Sequence, residues 1–184
     1  MSARRLGAAL LLAGALGACG HSAGDTYTRG HDLQVADLPL ADRVHIYQEA
    51  IGGSFQVGDP SLYLLLDPRL LPRAGGYGDA SALSQATQNE LIRSHIVQGT
   101  CVPTGGNAAG VAHCQAPLAG YVVRFTDVFR MHGDTMNVYL YVQRYSTPTS
   151  TGVGRLRFER EYKLVRQGSA WTAVAEGKLD VNSQ

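Results

Sequence analysis

The chain has 184 residues, a formal net charge of +1 and charged residues at 17% of its composition. No segment carries the cluster of Lys and Arg that binding to phosphate backbones requires, so the composition excludes the usual nucleic-acid-binding class. The length suits a single domain with a hydrophobic core, and the 22 glycines indicate many turns.

The first 18 residues have the composition of a secretory signal peptide. Arg4 and Arg5 are followed by the apolar run LGAALLLAGAL at 6–16. A run of this length is typical of a signal peptide and too short to span a bilayer, which takes about 20 apolar residues. We therefore predict that residues 1–18 are a cleaved leader.

The leader ends in Leu16-Gly17-Ala18-Cys19, which resembles the lipobox of bacterial lipoproteins. The resemblance implies that Cys19 receives a diacylglycerol, that the leader is cut before it, and that its amine is acylated. Fatty-acid chains such as palmitate would then hold the protein at a membrane. Gly20 stands where aspartate would indicate inner-membrane retention, which implies the periplasmic face of the outer membrane in a bacterium with two membranes. A secreted protein with an unmodified cysteine is the alternative.

Residues 19–36 are polar and aperiodic, and they are predicted to form a flexible tether before one domain at 37–184. Within that domain, the spacing of Leu40, Val44, Tyr47 and Ile51 predicts a helix. Asp37 is its expected N-cap, and Gly52-Gly53 is expected to end it. The apolar run at 61–67 predicts a short buried strand, and a second helix is expected at 80–98.

Cys101 and Cys114 flank a loop rich in Gly and Ala. In the oxidising compartment that the leader implies, this pair is expected to form a structural disulfide that stabilises the fold by roughly 3 kcal/mol. A redox dithiol or a metal site that uses His113 are the alternatives. The first normally shows closer cysteine spacing, and the second needs more ligands than the local sequence provides.

In the last third of the chain, apolar and polar residues alternate as they do in strands, and turn signals separate the segments. The predicted strands are 120–131, 136–146, 154–166 and 170–181. These patterns predict an α+β domain in which two N-terminal helices and a short strand pack on a four-stranded antiparallel meander. The order of elements is similar to that of small NTF2-like or cystatin-like domains. Because such folds host enzymes and binding proteins alike, the resemblance leaves function open.

Asp127 and Arg160 interrupt the apolar faces of the first and third of these strands. We expect Leu164 opposite Trp171, which would set Arg160 beside Ala175 and allow it to approach Asp127 on the concave side of the sheet. The pair is a candidate polar spot in a small-ligand pocket. A buried pair with no ligand, or outward exposure of either residue, are the alternatives. The opposite side of the third strand, which carries Glu159, Glu161 and Lys163, is expected to face solvent.

Tyr139, Tyr141 and Tyr145 share one face of the second strand and are expected either to pack across strands or to present an aromatic surface to a protein or glycan partner. No motif for a metal, a cofactor or a catalytic triad is present in the sequence. The function predicted is a non-catalytic, lipid-anchored binding or interaction module of the cell envelope, with a protein or small apolar ligand as partner. The alternative is a small NTF2-like enzyme that uses Asp127 and Arg160.

Overall fold

A computed structural model describes residues 33–56, 59, 62–72, 81–106, 112–146 and 157–179. The leader, Cys19 and most of the predicted tether lie outside these residues. The described residues form an α+β fold of two helices and a curled mixed sheet, which confirms the predicted class. The helices are α1 (Leu40–Ser54) and α2 (Gln85–Arg93), and the strands are β1 (Gln34–Val35), β2 (Leu64–Leu66), β3 (Gly99–Thr100), β4 (Thr104–Gly106), β5 (Ala112–His113), β6 (Gly120–Phe125), β7 (Phe129–Arg130), β8 (Thr135–Ser146), β9 (Arg157–Gln167) and β10 (Ala170–Leu179).

Strand β8 lies at the centre of the sheet. On one side it pairs in antiparallel fashion with β6 and, closer to its start, with β7. On the other side it pairs with β9, and β9 pairs with β10. The antiparallel order β6, β8, β9, β10 therefore forms the larger part of the sheet.

The predicted four-stranded meander is wrong as a description of the whole sheet. Strand β2 pairs in parallel with both β6 and β3, and β5 pairs in parallel with the end of β8. The predicted first strand at 120–131 is divided into β6 and β7, which pair with different parts of β8. Parallel pairs bring together segments that are distant in the sequence, and local turn signals do not reveal them.

Helix α1 packs on the concave face of the sheet. Val44, Tyr47 and Ile51 are buried as their spacing predicted, whereas Leu40 is 43% exposed. The three buried residues belong to a core cluster with the inward residues of β8, among them Leu140. The N-cap residue is Pro39 instead of the expected Asp37, so the helix begins two residues later than predicted, and no side chain caps it. Burial of the apolar stripe, rather than capping, is therefore what determines its position.

Helix α2 is shorter than the predicted 80–98. It begins after Ser84, whose hydroxyl accepts a hydrogen bond from the backbone N–H of Thr87, and it ends at Arg93. His95 then takes a positive φ of 56°, which ends the helical conformation. Strand β1 precedes α1 and was not predicted, so the helices are not the first elements of the fold. Strand β2 lies between the helices and is fully buried, which confirms the short buried strand predicted at 61–67.

The folded part of the chain begins earlier than Asp37. Gln34 and Val35 pair with Arg130 and Phe129 of β7. Ala36 is buried, and its N–H donates to the carbonyl oxygen of Val128, just before β7. The predicted tether therefore extends at least three residues too far. Two paired residues carry no alternation that would identify a strand from sequence.

Cys101 and Cys114 form a disulfide, as predicted. Cys114 is buried in a second, smaller core with Leu65, Val122 and Tyr145, on the face of the sheet opposite α1. The two cysteines are 13 positions apart in the sequence, and the bond closes the loop between them. It therefore holds the segment that carries β4 and β5 against the main sheet.

We predict that removing this disulfide destabilises the fold. A Cys101→Ala/Cys114→Ala variant should lose about 3 kcal/mol of unfolding free energy, because the unfolded chain regains the freedom of the closed loop. Urea denaturation of the variant and of the wild-type protein measures the loss. Wild-type protein in reductant is the control and should lose stability to a similar extent, and equal stability of all three samples would contradict the prediction.

We also predict an alkaline loss of stability from Tyr47. Its hydroxyl donates to the carbonyl oxygen of Thr126 at 3.1 Å, and burial, reinforced by the charge of Asp127, raises the pKa of Tyr47 far above its ordinary value. The unfolded chain loses this proton near pH 10 and the folded chain does not, so stability is full below about pH 10 and falls above it. Between about pH 10 and 12, the unfolding free energy of Tyr47→Phe should decline less steeply with pH than that of the wild-type protein. The two slopes should differ by about 1.4 kcal/mol per pH unit. Identical slopes in urea titrations of the two proteins would contradict this.

Candidate functional site

Arg160 lies on the concave face of β9, but its ion-pair partner is Glu176 of β10 rather than Asp127. The guanidinium Nη1 lies 2.5 Å from the Glu176 carboxylate and donates to the carbonyl oxygen of Gly53 at 3.2 Å. Its carbon Cζ is 5.2 Å from the centre of the Phe158 ring. A cation on the last carbonyls of a helix satisfies orphan acceptors and complements the helix dipole. Arg160 therefore joins the end of α1 to the sheet.

Tyr162 makes a second link between the sheet and the end of α1. Its hydroxyl is 2.6 Å from the Ser54 hydroxyl, and its ring packs on Gly53 so closely that a Cβ there would lie 2.6 Å from ring carbon Cε1. Burial raises the pKa of Tyr162, and hydrogen bonds from Ser54 and Arg160 act against that rise. The close packing of Tyr162 on Gly53 therefore fixes the end of α1 against β9.

Asp127 is placed elsewhere, in the connection between β6 and β7. Phe125, at the end of β6, shares a row of the sheet with Leu140 and Arg160, so two strand spacings, about 10 Å, separate its backbone from that of Arg160. The charge of Asp127 acts instead on Tyr47, roughly 9 Å before Gly53 along α1. The structure does not bring the two predicted pocket residues together.

The predicted register of β9 and β10 is wrong, and the turn explains why. Gly168 adopts a φ of 64°, which allows Gln167 and Ala170 to pair directly across a two-residue turn. Trp171 consequently lies opposite Arg166, not Leu164. A bulge between Ala173 and Ala175 shifts the register once more, so that Lys178, and not Ala175, is the backbone partner of Arg160.

The aromatic surface suggested for β8 is not exposed. Tyr145 is fully buried and its hydroxyl donates to the carbonyl of Leu118, while Tyr139 is 6% exposed. Burial raises the pKa of Tyr145 well above its ordinary value. Of the three tyrosines, Tyr141 alone is half-exposed. Cross-strand packing therefore describes this strand better than an exposed aromatic surface does.

The face of β9 that was predicted to meet solvent is instead partly buried and contains an ordered carboxylate. Glu159 is 1% exposed. Glu161 is half-buried, and its Oε1 accepts hydrogen bonds from Asn137 Nδ2 at 2.6 Å and from the Tyr139 hydroxyl at 3.2 Å. Both donors come from buried residues on β8. The Glu161 side chain is therefore held in one orientation by the neighbouring strand.

The second oxygen of this carboxylate points towards the outer strand of the sheet. Gly177 is the backbone partner of Glu161, and a Cβ on Gly177 would lie 3.4 Å from Glu161 Oε2. At this position there is a cleft of about 100 Å³ lined by Glu161, Lys163, Glu176 and Gly177. The glycine leaves the second oxygen accessible from the edge of the sheet.

Orienting Glu161 in this way has an energetic cost. The amide of Asn137 directs Nδ2 at the carboxylate, and its Oδ1 is buried without a hydrogen-bond partner. A buried unpaired acceptor costs about 1–3 kcal/mol. A buried unpaired acceptor in a native structure calls for an explanation, and the fixed orientation of the Glu161 carboxylate supplies one for Asn137. We therefore take the cleft around Glu161 as the candidate functional site.

Sequence reasoning missed this site because its parts lie on three strands. Glu161 and Lys163 have the alternation of an ordinary solvent-facing strand. The informative signal is Asn137, a polar residue of low strand propensity between apolar neighbours in the middle of β8. Its partner could be identified only from the pairing of Asn137 with Lys163 and of Tyr139 with Glu161.

Comparisons with known proteins add no family. No protein-family model, curated protein or solved structure matches the chain. Among the described residues, neither helix has the length and apolar character of a membrane span. Those residues also contain no cluster of three or more His, Cys, Asp or Glu side chains arranged to hold a metal ion.

A double-mutant cycle tests the placement of Arg160. Arg160→Met should destabilise the fold by about 1–2 kcal/mol, because it leaves the Gly53 carbonyl and Glu176 without their donor. Combination with Glu176→Gln should show coupling of a few tenths of a kcal/mol up to about 1 kcal/mol, as expected for a partly exposed ion pair. Combination with Asp127→Asn should be additive. Coupling with Asp127 but not with Glu176, measured by urea denaturation, would contradict this placement of Arg160.

Proposed function

We propose that the protein is an exported, lipid-anchored protein of the cell envelope that acts as a non-catalytic binding module. The lipid chains are attached to Cys19, and in a bacterium with two membranes the domain faces the periplasm from the outer membrane. The binding surface is the edge of the sheet around Glu161 and Gly177.

The observation that carries the proposed location is the disulfide between Cys101 and Cys114. Disulfides persist in oxidising compartments and are rare in the cytosol, so this bond supports export. It also occupies two of the three cysteines of the sequence, which leaves Cys19, at the end of a lipobox-like motif, as the cysteine for acylation. The leader and the disulfide thus support the same location independently.

The proposal of binding is supported by the candidate site. A carboxylate fixed by two buried donors beside a small open cleft is organised before any ligand arrives. Such preorganisation lowers the entropic cost of binding. Arg160, by contrast, is held in contacts with the end of α1 and with Glu176, so the NTF2-like enzyme alternative gains no specific support from its position.

Metabolic labelling with an alkyne fatty acid tests the anchor. Wild-type protein expressed in a bacterium should carry the label and sediment with membranes, because two or more acyl chains give stable anchoring. Cys19→Ala should carry no label. The Cys101→Ala/Cys114→Ala variant is the matched control and should be labelled in the molecules that reach the envelope. Label retained in Cys19→Ala, or wild-type protein left unlabelled with its leader intact, would refute the proposed anchor.

A further inference from the structure

Strand β10 is an edge strand in the part of the chain that the structure describes. It has ten residues, Ala170–Leu179, and pairs only with β9 among the described strands. Its outer N–H and C=O groups can therefore accept an additional strand. The bulge between Ala173 and Ala175 interrupts the regular edge, which leaves the segment from Ala175 onwards as the regular part.

The candidate site lies directly on this regular part. Gly177 is its middle residue, and the accessible oxygen of Glu161 lies over that glycine. Glu176, whose side chain is 41% exposed, lines the same cleft. A strand added beside β10 would thus bring alternate side chains towards a carboxylate that is already oriented.

The spare acceptor of the Glu161 carboxylate favours a hydrogen-bond donor that carries positive charge. Glu161 contributes the carboxylate of this cleft, and Lys163 lines the cleft beside it. The carboxylate of Glu176 is already paired with Arg160 Nη1 and does not add free charge. The hydrogen bonds from Asn137 and Tyr139 both use Oε1 of the Glu161 carboxylate, so Oε2 keeps its acceptor capacity. The cleft volume of about 100 Å³ admits a single side chain rather than a larger ligand.

We propose that the segment of β10 around Gly177 binds an extended segment of a partner protein by strand addition, and that a Lys or Arg side chain of the partner binds Glu161 Oε2. Backbone hydrogen bonds along β10 supply sequence-independent affinity, and the basic side chain supplies specificity. A charge-assisted hydrogen bond to a fixed carboxylate is stronger than a neutral one. This inference rests on the proposed binding function and assigns its site and the chemistry of its partner.

The experiment uses the full chain, purified after export, and two capped heptapeptides. One has the order Thr-Val-Thr-Lys-Thr-Val-Thr, and in the other norleucine replaces lysine, so that length and strand propensity are matched. Amide chemical shifts and hydrogen exchange of residues 170–179 report strand addition, and peptide titration gives the affinities. We expect protection of β10 amides and an affinity about tenfold higher for the lysine peptide.

Two variants and one control assign the effect to Glu161. Glu161→Gln keeps the acceptor for Asn137 and Tyr139 but removes the charge, and it should abolish the preference for lysine. Gly177→Ala places a methyl group against Oε2 and should weaken binding of the lysine peptide. Glu49→Gln removes a carboxylate on α1, where its partner is His45, and should leave both affinities unchanged.

Equal affinity for the two peptides, a preference for lysine that survives Glu161→Gln, or no protection of β10 at millimolar peptide would each overturn the inference. The fatty-acid label reports separately on the anchor. Loss of peptide binding in a protein that carries the label therefore rejects the edge site alone, and a protein without the label that still prefers the lysine peptide rejects the anchor alone.

Discussion

The pairing of β8 with strands on both of its sides is the constraint on which the rest of the structure depends. Its inward residues, Val138, Leu140 and Val142, are fully buried in the core that receives α1. Its outward residues include Asn137 and Tyr139, which orient Glu161. Because neighbouring residues of a strand point to opposite faces, one strand provides both the core and the support of the candidate site. A slip of one residue in its pairing would exchange these two roles.

The class of the fold follows from patterns that are local in the sequence. The apolar spacing of Val44, Tyr47 and Ile51 predicts α1 because burial of that stripe is what stabilises the helix. The disulfide between Cys101 and Cys114 was predicted from the cysteine count and the compartment, because the assignment of Cys19 to a lipid leaves these two as a pair where disulfides persist. In both cases the interacting groups are close in sequence, and the energetic gain does not depend on distant pairings.

The parts that could not be predicted depend on backbone geometry or on contacts between distant segments. The register of β9 and β10 depends on the positive φ of Gly168 and on the bulge after Ala173. The sequence is compatible with other turn positions and with a strand that has no bulge, so it does not determine this register. An error of two residues at the turn and the further shift at the bulge together moved the backbone partner of Arg160 from the expected Ala175 to Lys178. The expected pairing of Arg160 with Asp127 does not occur. Glu161 and Arg160 show the consequence. The alternation of β9 predicted Glu161 to be a solvent-facing residue, but its carboxylate is held by hydrogen bonds. It predicted Arg160 to be a pocket residue, but Arg160 joins the end of α1 to the sheet.

The positions of β1 and β10 relate the proposed anchor to the proposed docking edge. Strand β1 adds to the sheet beyond β7, on one side of β8, whereas β10 adds beyond β9, on the other side. With a spacing of about 4.8 Å per strand, four steps of roughly 19 Å in total separate them along the sheet. The chain that links Cys19 to β1 therefore enters at the side opposite β10, and its 15 residues reach at most about 50 Å. An anchor on Cys19 would thus hold the protein by one edge of the sheet and leave Glu161 and Gly177, at the other edge, accessible to a partner in the surrounding compartment.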